Sequence, residues 1–197
     1  MGRPAKFDRD EAVEAAMNLF WKHGYQANSL KALSESLGLT RSSLYNTFGS
    51  REALFREALD RYFAQSPDRR LVSPDPAVPV RRLMTELFRE ICRVRAADPE
   101  GRGCMALNCL SETVPSDEEI GCLLADAILG TAERIEALVA KGVANGELPA
   151  STEVHALALA VQNLMIGLNH FSKVLRSEDE LWAMTRTTLA GLGLLEE

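Results

Sequence analysis

A chain of 197 residues, 46% hydrophobic and 25% charged, is long enough for one ordinary core or for a small domain joined to a larger one, which excludes global disorder. Its four cysteines form no CxxC pair and have no His at finger spacing, so neither structural zinc nor any other cofactor is expected. The net charge of −6 is uneven: residues 1–62 hold nine Lys/Arg against eight Asp/Glu, a balance of +1, and the rest holds thirteen against twenty, a balance of −7.

Met1 to Lys6 has no apolar run behind it, so no secretory signal is expected, and the thiols are read as reduced and cytoplasmic. Asp8 with Glu11 forms a capping pair for a first helix, whose apolar face is Val13, Ala16, Met17 and Phe20 and whose stop is Gly24. Ser29 caps a second, short helix with Leu30, Leu33 and Leu37 on one face, ended by Gly38. Thr40 caps a third, to about Thr47, before Gly49. Ser50 opens a fourth, with Leu54, Phe55, Ala58, Leu59 and Tyr62 inside. Pro67, Pro74, Pro76 and Pro79 cannot continue a helix, which sets the expected division: 1–65, a connection over 66–79, and 80–197.

Val80, Leu83, Met84, Leu87, Ile91 and Val94 mark the next helix, and a short one runs from about Cys104 to Glu112. Ser116 with Glu119 forms a capping box for a long helix through Ile120, Leu124, Ile128, Ile135 and Val139, closed by Gly146 and Pro149. The helix expected over 152–175 has no Asp, Glu, Lys or Arg between Val154 and Ser172, nearly a spanning length. His155, Gln162, Asn163, Asn169 and His170 would be costly in lipid, so it reads as a buried soluble helix without a membrane partner. Ser177 with Glu180 caps a last helix reaching Leu195. The fold class is all-α, about nine helices, with an N-terminal three-helix helix-turn-helix domain and a C-terminal helical domain.

Two short helices joined across Gly38-Leu39-Thr40 have helix-turn-helix proportions, although the same motif also serves as plain packing. With Leu30, Leu33, Leu37 and Leu44 as anchors, Arg41, Ser42, Ser43, Tyr45 and Asn46 face outward without a carboxylate among them. Phosphates and base edges suit that mixture. Between Glu14 and Glu52 the sole acid is Glu35, against Lys22, Lys31, Arg41 and Arg51.

The run Ser29 to Phe55, above all Leu44-Tyr45-x-x-Phe48-Gly49-x-Arg51-Glu52-x-Leu54, closely resembles the signature of the TetR family of bacterial transcriptional regulators. Leu19-Phe20 and Gly24-Tyr25 fit that family's first helix, so the resemblance covers residues 7–62; beyond them only helix order matches. It implies a homodimer that places two recognition helices in successive major grooves of double-stranded operator DNA, about 34–36 Å apart. Thr40, Arg41, Ser42, Ser43, Tyr45 and Asn46 would lie on or beside DNA, with Tyr45, Arg51, Ser29 and Lys31 on the backbone. Thr47 departs from the His or other phosphate-contacting residue of many relatives. Arg3 and Lys6 form either a basic arm for the minor groove or a disordered terminus.

The resemblance makes residues 80–197 an effector-binding and dimerisation domain for a small molecule, with Phe88, Met105, Asn108, Leu124, Ile128, Asn163 and His170 as candidate pocket lining. Each can equally be ordinary core or a satisfied polar group. The charge-free helix and the last one, around Leu181, Trp182, Met184, Leu189 and Leu192, form the candidate dimer interface. Arg102-Gly103-Cys104-Met105-Ala106-Leu107-Asn108 is similar to the Gly-Cys-x-x-x-Asn segment of a cysteine-containing subset of the family. Cys104 at a helix start is either an electrophile or redox trigger or a small space-filler. No enzyme motif is present: no Gly-rich phosphate loop, no Gly-x-Ser-x-Gly, no His-Glu-x-x-His. The alternatives are a co-repressor-dependent regulator and a helical module that binds only protein.

Overall fold

The computed structural model describes residues 7–114 and 117–196. Its elements are α1 (Arg9–His23), α2 (Leu30–Ser36), α3 (Arg41–Phe48), α4 (Arg51–Gln65), a 3-10 turn (Pro67–Leu71), α5 (Val80–Ala97), α6 (Met105–Thr113), α7 (Glu118–Ala144), α8 (Val154–Phe171) and α9 (Glu178–Gly191). No strand occurs among the described residues, and none of their helices is long and apolar enough to cross a membrane.

Local chemistry sets the helix ends. Asp8 accepts the N–H groups of Asp10 and Glu11, and Ser177 accepts that of Glu180, each satisfying orphan donors of a first turn. Ser116 lies outside the described residues; the side chain that caps α7 is Asp117, which accepts Ile120 N–H at 3.1 Å. α9 stops at Gly191, four residues short of Leu195, because Gly193 turns left-handed at φ 70° and Leu194 N–H returns to Leu189 O at 2.9 Å. Leu189 and Leu194 are both fully buried, so an apolar contact locks that ending.

Contacts divide the chain into two compact units. One holds the residues up to Gln65 together with Met105–Leu124; the other holds Ser66–Cys104 and the chain from Ala125 onward. The proline-rich stretch therefore marks only the first of three crossings, and α6 with the start of α7 packs with the N-terminal helices rather than with 80–197. Helical periodicity says that α6 has an apolar face (Met105, Ala106 and Cys109 are buried) but not which helices receive it.

In the first unit α1 and α4 make the core. Val13, Ala16, Met17 and Phe20 meet Leu54, Phe55, Ala58 and Leu59, each side chain contributing about 1.5–3 kcal/mol when large and fully buried. Phe55 stands edge-on to both Phe20 and Tyr25, at 5.0 and 4.9 Å between centroids. In the second unit α5, α7, α8 and α9 share a core that includes Met84, Phe88, Ile91, Ile135, Val161, Met165, Leu181 and Leu189. Arg95, buried on α5, donates to Asn169 of α8 at 2.6 Å and fixes the alignment of the two helices.

α8 is apolar nearly all round, yet it has a definite inner face: Ala158, Val161, Gln162, Met165, Leu168 and Asn169. Its outer face holds Leu159, Asn163, Gly167, His170 and Phe171, all exposed.

Candidate nucleic-acid interface

The turn between α2 and α3 is built from three residues. Ser29 accepts Ala32 N–H at 3.2 Å and starts α2. Gly38, at φ 64°, lets Leu39 N–H reach Ser34 O at 2.9 Å, which ends α2 and redirects the chain. Thr40 then accepts Ser43 N–H at 3.1 Å and starts α3. Its hydroxyl also lies 3.0 Å from that of Ser42 and 2.9 Å from that of Ser43, so three hydroxyls gather at the positive end of α3.

Leu33, Leu44 and Phe48 are buried and fix α2 and α3 to the core. Arg41, Ser42, Tyr45 and Asn46 are exposed, Tyr45 by 64%, while Ser43 and Thr47 are half-buried. Arg41 has no ion-pair partner among the described residues. Lys31 is exposed beside Glu35 at 3.8 Å. Other arginines of this unit are committed elsewhere: Arg9 to Glu57 at 2.6 Å, Arg61 to Asp10 at 3.1 Å, Arg56 to Glu119 at 2.9 Å. Arg3 lies outside the described residues.

Arg51 is held rather than loose. Its guanidinium carbon sits 4.0 Å from the Tyr25 ring centroid and its Nε 3.5 Å from Glu52. Burial pushes the Tyr25 phenol up to about 12; Arg51 opposes that shift and Glu52 adds to it. Burial would also raise Glu52, but hydrogen bonds from its own backbone, Ser50 and Tyr25, with Arg51, hold it below the usual range.

Two residues that the sequence did not single out support this surface from behind. Asn28 is buried and donates to Leu19 O at 3.1 Å and to Gly24 O at 2.6 Å. Glu112 of α6 accepts the backbone N–H groups of Tyr25 and Gln26. The role of Glu112 depends on long-range placement, which no local pattern announces.

The expected effector-lining residues divide between the two units. Met105 and Leu124 are buried with the N-terminal helices, and Asn108 donates to Trp21 O at 3.5 Å. Phe88 is in the second core and Ile128 is half-buried on α7. Asn163 and His170 are exposed on α8, and the polar groups turned inward are their neighbours Gln162 and Asn169. Gln162 Oε1 is buried without a hydrogen-bond partner. Asn163 instead edges a shallow groove of about 480 Å³ with Leu164, Gly167, Phe171, Met184 and Leu192. Cys104 is half-buried just before α6, following left-handed Gly101 and Gly103; Cys92 and Cys109 are buried and Cys122 is exposed. No group of residues able to hold a metal ion occurs among the described residues.

Comparison with known proteins agrees with this geometry. The family model "Bacterial regulatory proteins, tetR family" matches residues 12–58, and "Tetracyclin repressor-like, C-terminal domain" matches residues 79–188. Over 191 residues the chain is 30% identical to the HTH-type transcriptional repressor ComR of Escherichia coli, covering 95% of this chain and 90% of ComR. Among solved structures it is similar to the TetR family transcriptional regulator CifR, as a triple cysteine mutant complexed with 26 bp double-strand operator DNA (TM-score 0.85, 32% identity, 96% of this chain and 98% of that one). A double cysteine mutant of CifR with the same length of operator gives TM-score 0.86 at 33% identity, covering 95% and 98%.

Proposed function

The chain belongs to the TetR family of bacterial transcriptional regulators, and we propose that it represses transcription as a homodimer bound to a palindromic operator and released by a small effector or by modification of a cysteine. One observation carries the DNA reading. The recognition helix α3 offers Arg41, Ser42, Tyr45 and Asn46 to solvent, with no carboxylate on that face, from a head anchored inside by Leu33, Leu44 and Phe48. Ser29, Lys31, Thr40, Ser43 and Arg51 supply further donors to phosphate, and Arg3 an arm for the minor groove. The operator complexes of CifR support the same use of this head.

A second copy of the chain is the expected cover for the outer face of α8, where Leu159 and Phe171 stay exposed, as does Val174 just beyond its end. Residues 80–197 would receive the effector, with Phe88 and Ile128 as apolar lining, and the carboxamide of Gln162 is the one buried polar group on α8 left to orient it. Cys104 is half-buried and directly precedes α6, which suits a thiol that an electrophile could reach. Effector binding or thiol modification would favour a conformer whose two heads no longer match successive grooves. Operation in the cytoplasm follows from acting on chromosomal DNA.

Selection of genomic fragments with purified protein, followed by footprinting at two salt concentrations, tests the reading. A palindromic footprint whose affinity falls steeply with salt is expected. Weak binding indifferent to sequence would sink the repressor reading and favour a protein-binding helical module. For the thiol, Cys104→Ser protein should stay on the operator under an electrophile that releases the parent protein; equal release would remove Cys104 from the mechanism.

A further inference from the structure

One face of α6 is spent on α1. Asn108 donates to Trp21 O at 3.5 Å, the Cys109 thiol approaches Phe20 O at 3.9 Å, and Glu112 accepts the N–H groups of Tyr25 and Gln26. The side chain of Gln26 returns the contact, donating to the Glu112 backbone carbonyl at 2.7 Å. Phe20 and Trp21 belong to the last turn of α1, where Gly24 N–H caps the Phe20 carbonyl at 2.9 Å, and the Tyr25 and Gln26 amides begin the link to α2. Asn108, Cys109 and Glu112 fall at i, i+1 and i+4, so a single helical face makes the whole set.

Gly24 is the complement. It is left-handed at φ 78°, and a Cβ there would collide with the Glu112 carboxylate. The carboxylate can therefore lie against bare backbone. Asn28, bonded to Leu19 O and Gly24 O, ties the far side of the same link and directly precedes the Ser29 cap of α2.

We propose that Glu112 is a positioning residue for DNA recognition: by holding the α1–α2 link it sets the pitch of α2 and α3 and makes α6 and the reading head one rigid body. This rests on the operator-binding reading.

The test uses full-length dimeric protein with Glu112→Ala and Glu112→Gln, measured far below their melting temperatures. Glu112→Ala should weaken operator affinity about tenfold, because the Tyr25 and Gln26 amides lose their acceptor, and should flatten the slope of log K on log salt as phosphate contacts go out of register. Glu112→Gln keeps one acceptor oxygen and should recover part of both. Amide hydrogen exchange should quicken at Tyr25, Gln26 and through α2–α3 in the Ala variant. Affinity within twofold of the parent protein, or lower affinity with an unchanged salt slope, would overturn the proposal, since the second result means only a smaller folded fraction. If the parent protein itself binds no operator, the function reading fails, and exchange alone still decides the clamp: unchanged α2–α3 protection overturns it.

Discussion

Arg51 sits over the ring of Tyr25, 4.0 Å from guanidinium carbon to ring centroid, while the phenol donates to Glu52 at 3.1 Å. Tyr25 is 1% exposed, so its neutral form is the one the fold prefers, and its ionisation rises from 10.0 to about 12. A group raised in this way gives stability that is complete below its unfolded value and is lost as pH climbs through the folded one. The window is therefore pH 10 to 12, and the loss is at most roughly 3 kcal/mol. Melting temperatures across that range should fall more steeply for the parent protein than for Tyr25→Phe. Parallel curves would remove Tyr25 as the source.

Arg41 is exposed, unpaired among the described residues and on the first turn of α3. Arg41→Ala should cost about 1–3 kcal/mol of operator binding and, if the contact is to phosphate, reduce the salt slope by about one. Thermal stability should hardly change, because no folded-state partner is lost. A change in base preference at one operator position, read by competition with mutated sites, would instead assign Arg41 to a base edge.

Gly167 has open space around it and lies among the uncharged outer residues of α8. Gly167→Arg should leave helix content intact yet shift the protein towards monomer in sedimentation, because a buried unpaired charge at an interface is costly. Operator affinity should fall with it, as each copy carries one head. A dimer of undiminished stability would place the interface elsewhere.

Gln162 buries an acceptor that meets no donor. Gln162→Met removes that desolvation cost at similar size, and the effector-free protein should gain about 1–2 kcal/mol. That is a rise of roughly 2–4 °C in melting temperature per kcal/mol. A loss of stability would mean that the carboxamide is already satisfied.

The head was legible because its determinants are local. Ser29, Thr40 and Asp8 cap within three residues of themselves, and Gly38 and Gly49 stop helices by their own backbone freedom. On α8 the sequence offered Asn163 and His170 as candidate lining, whereas the polar side chains that turn into the core are Gln162 and Asn169. A helix without charged residues gives periodicity nothing to orient by. Glu112 was invisible for a different reason: its partners lie 86 and 87 positions away, and an acidic residue at a helix end reads as solvated.

The grouping of Met105–Leu124 with the N-terminal helices limits how this protein can be recombined. A fragment ending at Gln65 would carry α2 and α3 whole, yet Phe20 and Trp21 would lack the donors from α6, and Tyr25 and Gln26 their acceptor. The reading head is thus discontinuous in the gene. A chimera that grafts a new sensor after the proline-rich stretch inherits a foreign α6, and must match it to Gly24 and Gln26 before its operator specificity can be carried over.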